Sequence, residues 1–329
     1  MLTPRKSLAL IAVGTVGTVT AVLAVCLAGP LLYPRHWAPD AISARVAAAA
    51  DLDSYLANEE GGVIGLKPAL VKGIVWRDSV TKAKTPLAII YLHGFSASRR
   101  ELSPVPERLA DSLGANLFFT RLAAHGRVDG EAFATVTPQQ WIDDAREAIA
   151  VGKRIGERVI IVATSTGATL ALEMAIERPT DIAAMILVSP NHEPKDARAR
   201  FIAGPLGPTL ARLVGGTYVG FVPTNAAHAE LWTPKYRSEG ISAMMDLVNH
   251  ERSLDLSRVT MPVLTLYTSK DIVVRTNLIV SRHAELGSAH KEIVDVPEAT
   301  RHEMASDALV PQAVDPVLAR MLRFIRGIR

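Results

Sequence analysis

Compact runs of apolar residues recur along the chain from about residue 68, and longer segments with helical spacing separate them. The runs predict seven strands, at residues 71–76, 86–92, 115–120, 158–163, 183–189, 263–267 and 292–296. The segments between and after them predict helices at residues 101–113, 137–155, 167–177, 278–286 and 314–328. Because most of the strands are apolar throughout, they indicate a mostly parallel sheet buried between helices on both faces. In such sheets, chemistry collects at the carboxyl ends of the strands.

Residues 191–258 interrupt this alternation of strands and helices. The segment has helical spacing, several glycines, prolines and aromatic side chains, and no strong strand pattern. An insertion of this length between two strands of the sheet predicts a helical lid over the strand ends. The alternative is a packing appendage that has no role in access to a site.

The first 35 residues differ in character from the rest of the chain. Arg5 and Lys6 precede an uncharged stretch from Ser7 to Pro34, which is rich in Ala, Val and Leu. About 20 helical residues cross a bilayer, and this stretch also exceeds the usual apolar core of a cleaved signal peptide. We therefore expect a transmembrane anchor at residues 1–35, with a cleaved signal peptide or a buried helix as alternatives. The charges favour a cytoplasmic N-terminus and a domain outside the cytoplasm.

Residues 36–65 predict a linker with an exposed, alanine-rich helix from Ala41 to Leu56. The predicted organisation is therefore an anchor or signal segment at residues 1–35, this linker, and one α/β domain at residues 66–329. The lid at residues 191–258 belongs to that domain.

Composition narrows the possible partners. Of the residues, 49% are hydrophobic and 21% charged, which is ordinary for a globular protein. The formal charge is +3, and the basic residues are scattered among acidic ones, so no nucleic-acid partner is expected. The single cysteine, Cys26, excludes an intrachain disulfide and a cysteine-based metal site. The sequence indicates no cofactor, no metal and no particular oligomeric state.

One segment places a single serine between a strand and a helix. The apolar run at residues 158–163 leads through Ser165 and Gly167 directly into a helix-forming segment. Small side chains at Ala163 and Gly167 let the strand and the helix approach closely, while Ser165 is held in a strained conformation with its hydroxyl exposed. This pattern is that of a nucleophile elbow, with alanine in place of the first glycine. The alternative is a buried serine that caps the helix.

A serine hydroxyl needs a base within hydrogen-bond reach, because it is a weak nucleophile near neutral pH. We predict His302 as this base, since it lies in the loop after the last strand and ahead of the final helix. His290 precedes that strand and would lie at the opposite edge of the sheet. His250 and His283 fall on helices and are expected at the surface.

The base in turn needs an acid to orient it. Asp271 follows the strand at residues 263–267 in a turn, so we predict that it orients His302. The alternative is that Asp271 caps a helix. Asp295 is the fallback acid, although it lies inside a strand pattern.

Two backbone amides are predicted to form an oxyanion hole. The strand at residues 86–92 ends in His93, Gly94 and Phe95, and Gly94 would allow a sharp bend that turns the Phe95 amide inward. The amide of Thr166 follows the nucleophile at the start of a helix, where the helix dipole also favours negative charge. Loss of one such donor typically costs about 3 kcal/mol of transition-state stabilisation.

From about Pro68 to Arg329 the chain resembles the α/β-hydrolase superfamily, and it is most similar to the carboxylesterase and monoacylglycerol-lipase-like branch. The resemblance lies in residues 92–95, residues 121–126, residues 141–144, the Ser165 elbow, Asp271 and His302. The family usually has Pro-Gly-His-Gly where this chain has Ala123-Ala124-His125-Gly126, and usually glycine at position 163. The resemblance implies the α/β-hydrolase fold and acyl-ester hydrolysis without a cofactor, under a mobile helical cap.

We therefore expect a membrane-tethered serine hydrolase that cleaves carboxylic esters through an acyl-enzyme, acting on small-molecule or lipid-like esters. A thioesterase, amidase or peptidase with the same three residues is one alternative. A non-catalytic binding module on this fold is the other, but no member of the proposed triad is missing from the sequence.

Overall fold

The computed structural model describes residues 36–328, together with Ala24 and Tyr33. The expected anchor or signal segment therefore lies outside the described residues, apart from those two positions. Within the described part of the chain, no helix combines the length and the apolar character needed to cross a membrane. The division of the chain into anchor, linker and hydrolase domain stays a prediction.

The strands form a main sheet and one small hairpin. Their bounds are β1 Gly73–Val75, β2 Thr85–Leu92, β3 Asn116–Phe119, β4 Gly156–Thr164, β5 Ile182–Val188, β6 Tyr218–Gly220, β7 Lys235–Arg237, β8 Val263–Tyr267 and β9 Lys291–Asp295. The main sheet has seven strands in the order β1-β3-β2-β4-β5-β8-β9. Only β1 runs antiparallel to its neighbour, and the other pairs are parallel. The predicted mostly parallel sheet is confirmed.

Helices cover both faces of this sheet. Their bounds are α1 Ile42–Ala48, α2 Leu52–Gly61, α3 Val105–Leu113, α4 Pro138–Ile155, α5 Thr166–Glu177, α6 Gly207–Gly215, α7 Ala226–Leu231, α8 Glu239–Arg252, α9 Thr276–Glu285 and α10 Val314–Gly327. Short 3₁₀ turns occupy Pro68–Leu70, Glu131–Ala134, Pro179–Asp181, Ala197–Phe201, Leu256–Arg258 and Pro311–Ala313. In the described part of the chain α4 is the longest helix, and it starts where it does because Thr137 and Gln140 form a capping box at its N-terminus.

The core lies in two layers, one on each face of the sheet. Along β2, Ala88, Ile90 and Leu92 face the layer that α4, α5 and α8 cover. The alternate residues of β2 face the layer that α3 and α10 cover. Both sets are buried because successive strand residues point to opposite faces and both faces carry helices. This burial explains why the strand is apolar throughout.

The exposed helix predicted from Ala41 to Leu56 is wrong in both its continuity and its exposure. The segment forms two helices, and the side chain of Asp51 caps the second one by accepting from the Ser54 amide. The side chains of Val46, Leu52 and Leu56 are buried against the core. At the end of α2, Glu60 Oε1 lies 2.7 Å from Arg121 Nη2, and both side chains are buried. The described part of this segment is therefore packed on the domain.

The insertion at residues 191–258 lies between β5 and β8, which pair directly with each other. It contains α6, α7 and α8, together with the β6–β7 hairpin, where the sequence predicts no strand. Met245 and Leu247 of α8 are buried in the layer that also holds α5. The insertion is thereby fixed to the domain through α8.

Candidate active site

Ser165 lies at the turn between β4 and α5. Its backbone has φ 53° and ψ −116°, a conformation that residues other than glycine rarely adopt. The Ser165 amide donates to the Val188 carbonyl of β5 at 2.9 Å, which holds the turn in place. A Cβ added at Gly167 would overlap the carbonyl oxygen of Leu92, so α5 and β2 approach closely only because glycine stands there. The expected strained backbone is present, and the Ser165 side chain makes no capping hydrogen bond.

Asp271 and His302 are in direct contact. His302 Nδ1 lies 2.6 Å from Asp271 Oδ2, and both residues are buried. The other carboxylate oxygen of Asp271 accepts from the amides of Val273, at 2.7 Å, and Val274, at 3.1 Å. The interpretation of Asp271 as a helix cap is wrong, because α9 begins at Thr276 and its N-cap is Arg275. With Nδ1 bound to the carboxylate, the imidazole presents Nε2 for chemistry.

The contact shifts the pKa of each partner. Burial acts to lower the pKa of His302, but the Asp271 carboxylate outweighs burial and raises it above the ordinary 6.5. Burial acts to raise the pKa of Asp271, but the His302 imidazole and the two backbone amides outweigh it and hold that pKa below the ordinary 3.8. Asp271 is therefore ionised near neutral pH, and His302 is a stronger base than a free imidazole.

Ser165 and His302 line the same cavity. Among the described residues, no hydrogen bond joins the Ser165 hydroxyl to the imidazole of His302. Such bonds commonly shorten only when a substrate occupies the site. The predicted acid and base are thus in contact. The predicted nucleophile lines the same cavity as the base, but the two side chains are not hydrogen-bonded to each other.

The two predicted oxyanion donors, the amides of Phe95 and Thr166, have no hydrogen-bond acceptor among the described residues. Thr166 is the first residue of α5, where an amide has no acceptor within the helix. Within residues 36–328, the Phe95 amide has no hydrogen-bond acceptor, whereas both of its neighbours do. The Gly94 amide donates to Glu101 Oε2 at 2.7 Å, and the Ser96 amide donates to His125 Nε2 at 2.9 Å.

The requirement for glycine at position 94 has a different cause from the predicted one. Gly94 does not take a left-handed backbone conformation. A Cβ at this position would instead lie 2.8 Å from Glu101 Oε1 and 3.0 Å from the Cβ of Ser165. Glycine is needed because the loop passes close to the nucleophile and to a buried carboxyl.

Two histidines that the sequence analysis assigned no role support the loop of Phe95. His93 Nδ1 bonds to the Gly94 carbonyl at 2.9 Å, and His93 Nε2 accepts from the Leu122 amide at 3.1 Å. His125 Nδ1 bonds to the Ala123 carbonyl at 2.9 Å. Burial lowers the pKa of His93 to about 4 and that of His125 well below 6.5, so both rings are neutral. Their signal in the sequence is a histidine before glycine at the end of each of two strands.

The remaining candidates lie away from the cavity. The prediction that His250 and His283 are surface residues is wrong, because both are buried. His250 Nε2 lies 3.1 Å from Glu173 Oε1, and His283 Nδ1 lies 2.9 Å from Thr265 Oγ1. His290 precedes β9, as expected. The fallback acid Asp295 ends β9, where its carboxylate accepts from the Ser269 amide at 3.0 Å.

The cavity has a volume of about 490 Å³. Its apolar walls include Phe95, Phe221, Trp232, Tyr236, Ile241 and Met244. Most of these side chains belong to the insertion, which argues against the appendage interpretation. In the described residues, no group of His, Cys, Asp and Glu is arranged to hold a metal ion. The cavity thus combines apolar walls with the polar side chains of Ser165, His302 and Glu101.

Comparisons with known proteins point to one family. A family model described as "serine aminopeptidase, S33" matches residues 83–308. Among solved structures, the chain is similar to a lipolytic enzyme of the metagenome-derived pair LipS and LipT, with 19% identity and a TM-score of 0.66 over 80% of this chain and 99% of that one.

Two further structures have the same fold. One is a monoacylglycerol lipase from Paleococcus ferrophilus, with 15% identity and a TM-score of 0.58 over 79% of this chain and 99% of that one. The other is a soluble variant of the monoglyceride lipase from Saccharomyces cerevisiae, with 16% identity and a TM-score of 0.57 over 79% of this chain and 92% of that one. At these identities the similarity shows the fold alone. A search of curated protein sequences found no match.

Proposed function

The chain belongs to the serine aminopeptidase S33 family of α/β-hydrolases, and from this premise we propose that it is a serine hydrolase that cleaves carboxylic esters. The observation that carries the proposal is the contact between Asp271 and His302 on a cavity that Ser165 also lines. The parts that acyl transfer requires are a strained serine, an imidazole oriented by a carboxylate, and two amides that have no acceptor within residues 36–328.

The reaction follows from these parts. Ser165 Oγ attacks the ester carbonyl while His302 Nε2 takes the hydroxyl proton. Asp271 keeps Nδ1 protonated and stabilises the imidazolium, and the amides of Phe95 and Thr166 donate to the oxyanion. His302 then passes the proton to the departing alcohol. The acyl group stays bonded to Ser165 Oγ. A water molecule that gives a proton to His302 attacks this acyl group, the bond to Ser165 Oγ breaks as His302 returns the proton to that oxygen, and the acid is released.

The walls of the cavity favour esters with apolar groups. Phe221, Trp232 and Met244 offer apolar surface, which gains free energy when it covers a hydrocarbon chain. Two of the structural relatives are named as lipases of monoacylglycerols, which is the same class of ester. We infer that the acyl chain lies along the insertion, with the carbonyl at Ser165.

Labelling by a fluorophosphonate probe, together with turnover of p-nitrophenyl esters of increasing acyl length, tests the proposal. We expect the full chain to be labelled, and Ser165→Ala to lose both labelling and turnover, by about 10⁶-fold in kcat. Ser281→Ala is the matched control, because Ser281 is exposed on α9 and bonds only to its own helix. A folded wild-type protein without labelling, or equal labelling of Ser165→Ala, would end the proposal.

The description of the family as serine aminopeptidases favours a second candidate, the hydrolysis of amide bonds in peptides. The same three residues perform this reaction on unrelated folds, so the site itself does not separate the two. Matched ester, thioester and aminoacyl-anilide substrates do. A higher kcat/KM for an aminoacyl anilide than for the corresponding ester would replace the ester proposal.

We also propose that residues 1–35 anchor the protein in a membrane, with the hydrolase domain outside the cytoplasm. The support is the uncharged stretch from Ser7 to Pro34 behind Arg5 and Lys6. Alkaline extraction of membranes and protease protection of the full chain test the anchor and its orientation. An N-terminal sequence that begins near residue 28 would instead indicate cleavage of a signal peptide and secretion.

A further inference from the structure

Glu101 is a buried acid that the proposed reaction does not use. It is 2% exposed, and it lines the cavity together with Ser165 and His302. In the part of the chain that the structure describes, no lysine or arginine forms an ion pair with it. A buried carboxylate without a cation depends on the hydrogen bonds that it accepts. The partners in those bonds therefore indicate what Glu101 does.

The hydrogen bonds of Glu101 lead to the backbone beside both proposed reacting groups. Its Oε2 accepts from the Gly94 amide at 2.7 Å and from the Tyr91 hydroxyl at 3.3 Å. The Tyr91 hydroxyl also lies 3.1 Å from Thr164 Oγ1. Gly94 directly precedes Phe95, and Thr164 directly precedes Ser165. One carboxyl thus contacts the loop of the oxyanion donor and, through Tyr91, the strand that carries the nucleophile.

We propose that Glu101 is a positioning residue for the hydrolysis: its ionised carboxylate binds the Gly94 amide and so directs the Phe95 amide into the cavity. The inference rests on the proposed function. The Ser96 amide is bound to His125 on the other side, so Phe95 lies between two fixed neighbours. Without the carboxylate, one of these two fixed points is lost. The effect falls on kcat, because the oxyanion exists only in the transition state and the intermediates.

The carboxyl should respond to pH in the working range. Burial raises the pKa of Glu101 to about 7, although the Gly94 amide and His302 act to lower it. The titratable groups that face it are Tyr91 from β2 and the pair His302 and Glu303 from the loop after β9, of which Glu303 acts to raise that pKa. A protonated carboxyl is a weaker acceptor than a carboxylate. The loop is therefore held less firmly as the pH falls.

Two protons must then leave before the enzyme is active. His302 has to be neutral to act as a base, and Glu101 has to be ionised to hold the loop. When two groups must both lose a proton, log(kcat/KM) rises with pH at a limiting slope of about 2, whereas a single group gives about 1. This slope is a readout that a merely structural role for Glu101 would not produce.

The experiment measures kcat and KM of the full chain from acidic to alkaline pH for the wild type, Glu101→Gln and Glu101→Ala. Glutamine, like a protonated carboxyl, is a neutral acceptor, and it does not titrate, so we expect Glu101→Gln to lose about 100-fold in kcat at pH 8 and to show an acid slope of about 1. Alanine removes the acceptor, and we expect kcat to fall about 100-fold with little change in KM. Glu157→Gln is the control, because Glu157 is exposed near the start of β4 and does not line the cavity, so it should keep the slope of about 2.

A slope of about 2 retained by Glu101→Gln, or an unchanged kcat in Glu101→Ala, would overturn the inference. If Glu101→Ala does not fold, the slope of Glu101→Gln decides alone. Fluorophosphonate labelling of the wild type at pH 8 separates the two proposals. A folded wild type with neither labelling nor turnover removes the hydrolase itself, whereas normal turnover with an unchanged Glu101→Gln slope removes only the role of Glu101.

Discussion

The ring centroids of His93 and His125 lie 5.0 Å apart. Each imidazole accepts a hydrogen bond from a backbone amide in the loop that carries the other histidine. These reciprocal bonds join the loop of Phe95 to the loop at residues 121–126. Each Nε2 accepts only while its ring is neutral. The connection between the two loops therefore depends on keeping protons away from two buried bases.

This arrangement predicts a loss of stability in mild acid. Since burial lowers both pKa values below 6.5, the unfolded chain binds these protons first, and the stabilisation is complete above pH 6.5 and lost as the pH falls toward 4. Glutamine at position 93 does not titrate, so we expect the deficit of His93→Gln relative to the wild type to shrink by about 2 kcal/mol between pH 7.5 and pH 5. Urea unfolding at both pH values measures it.

The exposed His36 provides the control for that experiment. His36→Gln makes the same substitution at an exposed position and is measured beside His93→Gln at both pH values. Burial raises the pKa of Asp144 to about 7, so this acid makes the folded state more stable as the pH falls, which is opposite to the effect of the two histidines. Because the variant and the wild type share such acids, their contribution cancels when the two unfolding free energies are compared. A deficit of His93→Gln that is equal at both pH values would contradict the prediction.

Ser165→Ala and His302→Ala should lose activity to similar extents, each by about 10⁶-fold in kcat, because the two residues act as one unit. The double variant should be no worse than either single variant, since the second change removes a partner that is already idle. Rates from single turnovers, with thermal melting to verify folding, measure all three. A double variant that is slower by the product of the two single effects would mean that the residues act separately.

Asp271→Asn should keep the shape of the site but reduce kcat by about 10⁴-fold. The carboxylate raises the pKa of His302, so its loss should also move the acid limb of the remaining activity to lower pH. Asp295→Asn is the matched control at the end of the next strand, and it should retain wild-type kcat. Equal losses in both variants would show that the two strand-end carboxylates are not distinguished by their contact with His302.

Gly94→Ala tests the close passage of the loop beside Ser165. Its Cβ would lie 2.8 Å from Glu101 Oε1 and 3.0 Å from the Ser165 Cβ, so the loop must shift. We expect kcat to fall about 100-fold, as for loss of one oxyanion donor, with destabilisation of about 1–3 kcal/mol. Gly61→Ala has open space around its Cβ and should leave kcat unchanged. Kinetics and thermal melting of both variants would show whether the effect is specific.

Much of the fold could be predicted from the sequence because a parallel strand with helices on both faces must be apolar throughout. The run around Ile89 and Ile90 shows this, since alternate side chains enter different core layers. The packing of α1 and α2 could not be predicted with the same ease. The spacing of Leu52 and Leu56 indicates one face of a helix. The ion-pair partner of Glu60 is Arg121, 61 residues away along the chain, and no local sequence pattern reveals that pairing.

The site divides in a similar way. Strand ends meet at one edge of a parallel sheet, so position alone predicts that Ser165, Asp271 and His302 share a cavity. Their catalytic roles stay predictions. Glu101 could not be found in this manner, because a charged residue in a helical pattern is usually exposed. Its burial follows from the three-dimensional course of the loop before α3.

The buried pair of Glu60 and Arg121 bears on how much of the chain a shortened protein can lose. Arg121 begins the loop that His125 links to the Ser96 amide, and α2 supplies the counter-charge of Arg121. Deleting the segment before residue 62 would remove the carboxylate that this guanidinium binds, and loss of one partner of a buried ion pair costs about 3–5 kcal/mol. A trimmed enzyme that starts upstream of Ile42 keeps this neutralisation, whereas one cut to the family match at residue 83 discards it.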